Sequence, residues 1–244
     1  MSNKSRTTAP RHPHREIWAI AGPAILANSS APLVGLVDTW AIGHLPGAVH
    51  LAAVGLGSVI FNYILWAFGF LRMGTTGLIA QAKGREDEED RGQSKSLTLT
   101  PPISPARQEQ VVTVIRSSAL AVFFGLLLFA FQEAVLAVSL RVMAPPDDVA
   151  AITSEYFRIR IWAAPFTLLG YAIIGVLFGL ARVKTILWLQ LLLNLSNGVL
   201  NVTFVVGLGL GVPGVAWGTL IAQVLTALVT AWMLGSIYGA APLP

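Results

Sequence analysis

Cysteine is absent from the 244 residues, which removes disulfides, thiolate-bound metals and iron–sulfur clusters. Charge is nearly as scarce. Lys, Arg, Asp and Glu make up 11% of the chain and apolar residues 55%, where a soluble domain is roughly a quarter charged. With a mean hydropathy of +0.69, the composition is that of an integral membrane chain. Of the four histidines, His12, His14 and His44 lie outside the long apolar runs and His50 stands at the very start of one, so none lies within the body of a span. A bundle-bound haem, an intramembrane serine protease or a metalloprotease needs a ligand or base within a span. Those classes fall away, no catalytic residue is assigned and no enzyme is expected. A net charge of +4 and a pI near 9.8 would suit nucleic acid, but the basic residues sit in short connectors between apolar runs. That pattern sets membrane orientation and does not build a phosphate-binding face, so no nucleic-acid partner is expected.

Apolar runs long enough to cross a bilayer, about 20 residues or more, occupy 17–43, 49–82, 111–143, 149–181, 184–209 and 213–238. They predict an all-α integral membrane fold: a basic cytoplasmic tail over 1–15, then a bundle of six transmembrane helices over 16–244. The first run is too long for the roughly 7–15-residue core of a signal peptide and reads as a retained helix. Breakers mark the connectors: His44-Leu45-Pro46-Gly47, Ala144 to Asp148 with two prolines, and the glycine-rich stretch 207–214.

Lys4, Arg6, Arg11 and Arg15 fill the tail, six basic residues lie between Lys83 and Arg116, and Arg182 and Lys184 follow the fourth span. The opposite connectors offer Arg141, Arg158 and Arg160. The positive-inside rule therefore predicts both termini in the cytoplasm of a multi-pass inner-membrane protein. Residues 84–110 interrupt the pattern with the acidic run Glu86–Asp90 and then SKSLTLTPPISPARQEQ. A segment of that composition cannot bury a core, so it is predicted to be a disordered cytoplasmic loop.

Asp38 is the conspicuous residue, a carboxylate inside the first span. Such a group costs on the order of 3 kcal/mol in hydrocarbon and marks a functional site unless it snorkels or bonds a neighbouring helix. Span five carries Asn194, Asn197 and Asn201. Spacings of three and four put them on one helical face, which should look into the bundle or a wet cavity.

Helices rise about 1.5 Å per residue. Counting from the span centres puts Asp38, Asn201, Thr219 and Tyr156 between about 6 and 13 Å outward of the midplane by that rise. Such a layer could take a proton or, with carbonyl oxygens, a small hard cation. Pro23 and Pro32 bend span one and free backbone carbonyls. Arg72 and Glu133 read as interfacial.

Ala21-Gly22-Pro23-Ala24-Ile25-Leu26-Ala27-Asn28 and Gly35 to Leu45 resemble the multidrug and toxic compound extrusion (MATE) transporters. The branch they resemble is the one named after the DNA-damage-inducible protein F. Phe70 to Gly77, Ala80 to Gly84, Tyr156 to Pro165 and the Asn194/Asn197 stripe extend the likeness over nearly every span. The resemblance implies an antiporter that exports small amphipathic, often cationic, compounds in exchange for protons or sodium ions, with no other cofactor.

The family's amino-terminal lobe carries a cation site. Its first-helix aspartate matches Asp38 and its first-helix proline matches Pro23, a conformational element. Its fifth-helix positions match Asn197 and Asn201, while Tyr156 and Thr219 match by spacing. Some members have an aspartate where Asn201 stands, which favours proton over sodium coupling here and leaves sodium at Asp38 as the alternative. Family members have two six-helix lobes, so a chain with one lobe is expected to be a truncated product or to pair with a second lobe or chain. Two other readings stay open: a non-transporting accessory subunit, and a flippase for lipid-linked oligosaccharides, which should line its spans with more cations.

Overall fold

The computed structural model describes residues 18, 21–22, 25, 29, 36–37, 39–45, 47–93 and 104–238. Asp38, Pro23, Pro32, the tail 1–15 and much of the first predicted span lie outside them. The described members of that span, from Trp18 to Ile42, are helical. Beyond it run α1 (Ala48–Ala67), α2 (Gly69–Gln93), α3 (Pro105–Ala130), α4 (Gln132–Met143) and α5 (Asp147–Arg160). The order continues with α6 (Ala164–Gly179), α7 (Val183–Val202) and α8 (Gly211–Tyr238). The described residues contain no strand. Five helical stretches among them are long and apolar enough to cross a bilayer: Ala48–Gly92, Pro105–Ala130, Asp147–Gly179, Val183–Gly207 and Gly211–Tyr238. The fold is an all-α membrane bundle.

Several predicted spans are interrupted helices, for local reasons. Pro165 has no N–H to return to Ile161, so the chain tightens into a 3-10 turn over Ile161–Ala163 before α6 begins. The end of α6 closes with the Arg182 N–H on the Leu177 carbonyl at 2.8 Å and Ala181 in the left-handed region at φ 55°. After α7 the backbone widens into a π turn over Thr203–Gly207, where the Leu208 N–H reaches the Thr203 carbonyl at 2.9 Å. Gly209 and Gly211, at φ 66° and 62°, then reverse the chain into α8. Only residues without a Cβ adopt that pair of angles cheaply.

Helices in lipid gain little from hiding apolar surface, so they associate through close packing at small residues. A Cβ added at Gly175 of α6 would stand 2.7 Å from the Arg72 carbonyl of α2, and one at Gly57 of α1 about 2.5 Å from the Tyr156 ring of α5. At Gly125 of α3 it would overlap the backbone of Pro165, and at Gly218 of α8 the Asn201 amide of α7. Around these crossings Phe61 stacks on Phe157 at 5.0 Å, with Ile60, Ile161, Val212 and Val215 buried beside them. The outer surface is apolar in the other direction: Trp66, Val142 and Trp232 are exposed, as befits a face that meets lipid.

The loop predicted over 84–110 is corrected at both ends. Helix α2 continues to Gln93, and α3 starts at Pro105, capped by the Ser104 hydroxyl accepting from the Arg107 N–H at 3.2 Å. Residues 94–103 lie outside the described set. Within the acidic run Asp87, Glu88 and Asp90 stay exposed, but Glu86 turns inward. It pairs with Lys83 at 2.9 Å and Arg107 at 3.5 Å, and accepts from the Gln110 amide at 2.9 Å. Arg107 also donates to the Ile237 carbonyl at 2.8 Å and stacks on Tyr238, tying the end of α8 to the same junction. Composition averaged over the segment concealed these pairings, which depend on which carboxylate faces the bundle.

Candidate functional site

The Asn194, Asn197 and Asn201 stripe runs down the inward face of α7, and all three side chains are buried. Asn201 donates from Nδ2 to Asn197 Oδ1 at 3.3 Å, and Asn197 donates from Nδ2 to Thr219 Oγ1 of α8 at 3.0 Å. The Thr219 hydroxyl donates in turn to the Val215 carbonyl at 3.0 Å. The bonds therefore point one way, from α7 into α8. Gly218 makes this possible by letting Asn201 lie against the α8 backbone. The π turn begins two residues after Asn201; such widened turns often accompany sites that bind or switch. Asn194 accepts from the Gln190 amide at 3.3 Å, one turn toward the start of α7.

A cavity of about 400 Å³ opens beside this network. Asn194, Asn197 and Thr219 form one wall and Tyr156 with Arg160 another, with Thr39, Ser58 and Gln223 completing the polar lining. Ile42, Leu51, Val54, Leu193 and Val215 supply apolar surface. Tyr156 is 1% exposed, its ring seated over Gly57. Its oxygen accepts from Arg160 Nη1 at 2.6 Å, and the same Nη1 lies 3.4 Å from Ser58 Oγ.

The structure thus brings Asn194, Asn197, Thr219 and Tyr156 to one cavity, with Asn201 bonded behind Asn197. Asp38 and Pro23 lie outside the described residues. Their chain neighbours do not: Thr39 lines the cavity, and Val37 stands 3.6 Å from where a Gly198 side chain would begin. Amide and hydroxyl oxygens of this kind can ligate a small cation or pass a proton.

Sequence reasoning missed Arg160, Ser58 and Gln223 as members of the lining. Arg160 was legible, since four residues after Tyr156 is the same helical face. Its neighbour Arg158 points elsewhere, to an exposed bidentate pair with Glu133 at 2.8 and 2.9 Å.

The architecture is a membrane helical bundle with a polar network that opens on a cavity among its spans. The MatE family model matches residues 23–100. DNA damage-inducible protein F of Escherichia coli (strain K12) is 31% identical over 223 residues, covering 91% of this chain and 44% of that protein. Protein DETOXIFICATION 44, chloroplastic, of Arabidopsis thaliana is 30% identical over 226 residues, covering 90% of this chain and 40% of that one. A solved multidrug resistance MATE family transporter of the MOP superfamily, in its outward-facing conformation, superposes with a TM-score of 0.74 at 25% identity. It covers 89% of this chain and 44% of that structure. The chain belongs to the MATE family of multidrug efflux transporters. It spans about half the length of the curated relatives it matches.

Proposed function

We propose that the chain is the amino-terminal, ion-coupling lobe of a secondary antiporter that exports amphipathic organic compounds against an inward proton flow. The observation that carries this reading is the directed Asn201–Asn197–Thr219 network on a cavity wall that Thr39, the chain neighbour of Asp38, also lines. Asp38 is the proton acceptor in this scheme. A carboxylate within a span is held in its charged form by hydrogen-bond donors such as amides and hydroxyls, and protonation removes that stabilisation. An amide at Asn201 contributes no charge, which fits a proton better than sodium. Pro23 is the conformational element of span one in this scheme, because a proline withholds a backbone hydrogen bond from its helix. Both termini face the cytoplasm of the inner membrane, and a second lobe, in a second chain or a longer product, completes the substrate path. Two opposed halves are what alternating access requires.

The test is flux in proteoliposomes carrying a proton gradient, read with one cationic and one carboxylated amphipathic dye. Gradient-driven dye movement that Asp38→Asn abolishes is expected. Equal flux in that variant refutes the role of Asp38. A strict monomer with no flux refutes transport by this chain alone and favours an accessory subunit.

A further inference from the structure

Among the described residues that line the cavity, Arg160 is the one charged side chain. A guanidinium has five N–H donors in a planar fork. Nη1 is occupied by Tyr156 Oη and Ser58 Oγ. The plane is held over the Phe61 ring, 4.6 Å from its centroid, and against Tyr156 at 5.5 Å. The Nε and Nη2 edge makes no hydrogen bond among the described residues, and no described carboxylate lies within ion-pair reach. That contrasts with Arg158, Arg107 and Arg85, each of which has an acidic partner. The Tyr156 oxygen accepts from Arg160, so its own hydrogen is available to a further acceptor. A half-buried, positioned cation with an unused fork is costly unless something negative meets it.

We infer that Arg160 and Tyr156 form an anion subsite in this cavity, and that the compounds it takes carry a carboxylate on an apolar body. The Nε–Nη2 edge matches a carboxylate bidentately, and the Tyr156 hydroxyl donates a third bond. Ile42, Leu51, Val54, Leu193 and Val215 receive the apolar body, and 400 Å³ falls in the range of small-molecule sites. The inference deepens the transport reading, since the cavity is the same one. It departs from the cationic substrates that the family resemblance implies, because the described wall carries a positive charge.

Binding can be measured without flux, so the two readings fail separately. The purified 244-residue chain in zwitterionic nanodiscs is titrated with 1-naphthylacetate, its neutral amide and 1-naphthylmethylammonium. The carboxylate should bind about tenfold or more tightly than the amide, the worth of a hydrogen-bonded charge. Arg160→Gln should erase that preference. Arg160→Lys, which keeps the charge and the stem, should retain only part of it because an ammonium cannot form the fork. Arg158→Gln, outside the cavity, should leave it intact. Equal affinity for carboxylate and amide, or a preference that survives Arg160→Gln, overturns the subsite. A carboxylate affinity undiminished in Arg160→Lys overturns the bidentate geometry and with it the assignment.

Discussion

Gly218→Ala and Gly198→Ala make the same chemical change on facing helices and should move stability in opposite directions. On helix propensity alone, each replacement stabilises by about 0.5–1 kcal/mol. At Gly198, among the described residues, the new methyl meets Val37 Cγ1 at 3.6 Å, an ordinary contact, so the propensity gain survives. At Gly218 it would overlap Asn201 Oδ1 and lie 3.1 Å from both the Asn201 Cγ and backbone nitrogen. The side chain can swing away, but the backbone nitrogen cannot, so α7 and α8 must also part slightly. Overpacking of this kind costs about 1–3 kcal/mol. Swinging the amide away breaks its bond to Asn197 inside a buried site, about 1–3 kcal/mol more.

After the propensity gain, Gly218→Ala should be destabilising by a net ~1–5 kcal/mol on those terms. The assay is thermal unfolding of the purified chain in one detergent, followed by tryptophan fluorescence. At about 2–4 °C per kcal/mol for a chain of this size, Gly218→Ala should melt at least a few degrees lower while Gly198→Ala melts level or higher. A Gly218→Ala protein as stable as the parent would refute the close α7–α8 approach on which the polar network depends. A matching loss in Gly198→Ala would show that the methyl is resisted everywhere on α7 and would refute the site-specific argument.

Two more outcomes follow from the same packing. Gly125→Ala sets a methyl into the Pro165 backbone of α6; no rotamer relieves a backbone clash, so a loss of about 3 kcal/mol or more is expected, visible as reduced yield and melting temperature. Glu86→Ala strips a carboxylate from Lys83, Arg107 and Gln110 at the α2–α3–α8 junction. It should cost about 1–3 kcal/mol, whereas Glu109→Ala, which breaks the half-exposed pair with Arg85, should stay within about 1 kcal/mol in the same melt. Equal effects of the two would show that Glu86 is a surface charge after all.

Much of the fold was legible because membrane helices announce themselves by length. Runs of apolar residues predicted all the spans that lie among the described residues, and the spacing of Asn194, Asn197 and Asn201 predicted their shared face. The acidic segment misled because its composition describes a loop, while Glu86, facing Lys83, Arg107 and Gln110, ties it to the bundle as helix. Arg160 was counted with the connectors for the same reason: an arginine near a span's end reads as interfacial until its side chain is seen to lie over Phe61.

The sequence by itself determined that the chain is an all-α membrane protein resembling this family, with a carboxylate inside an apolar run and an amide stripe. Hydrophobic length and helical period are local properties, readable one segment at a time. Only the tertiary structure decided which polar groups meet. Asn197 finds Thr219 across two helices, Tyr156 settles over Gly57, and Arg160 lies over Phe61 at the cavity wall. Those contacts depend on how closely helices approach at single glycines, and that distance is fixed by packing between segments, which no one segment encodes.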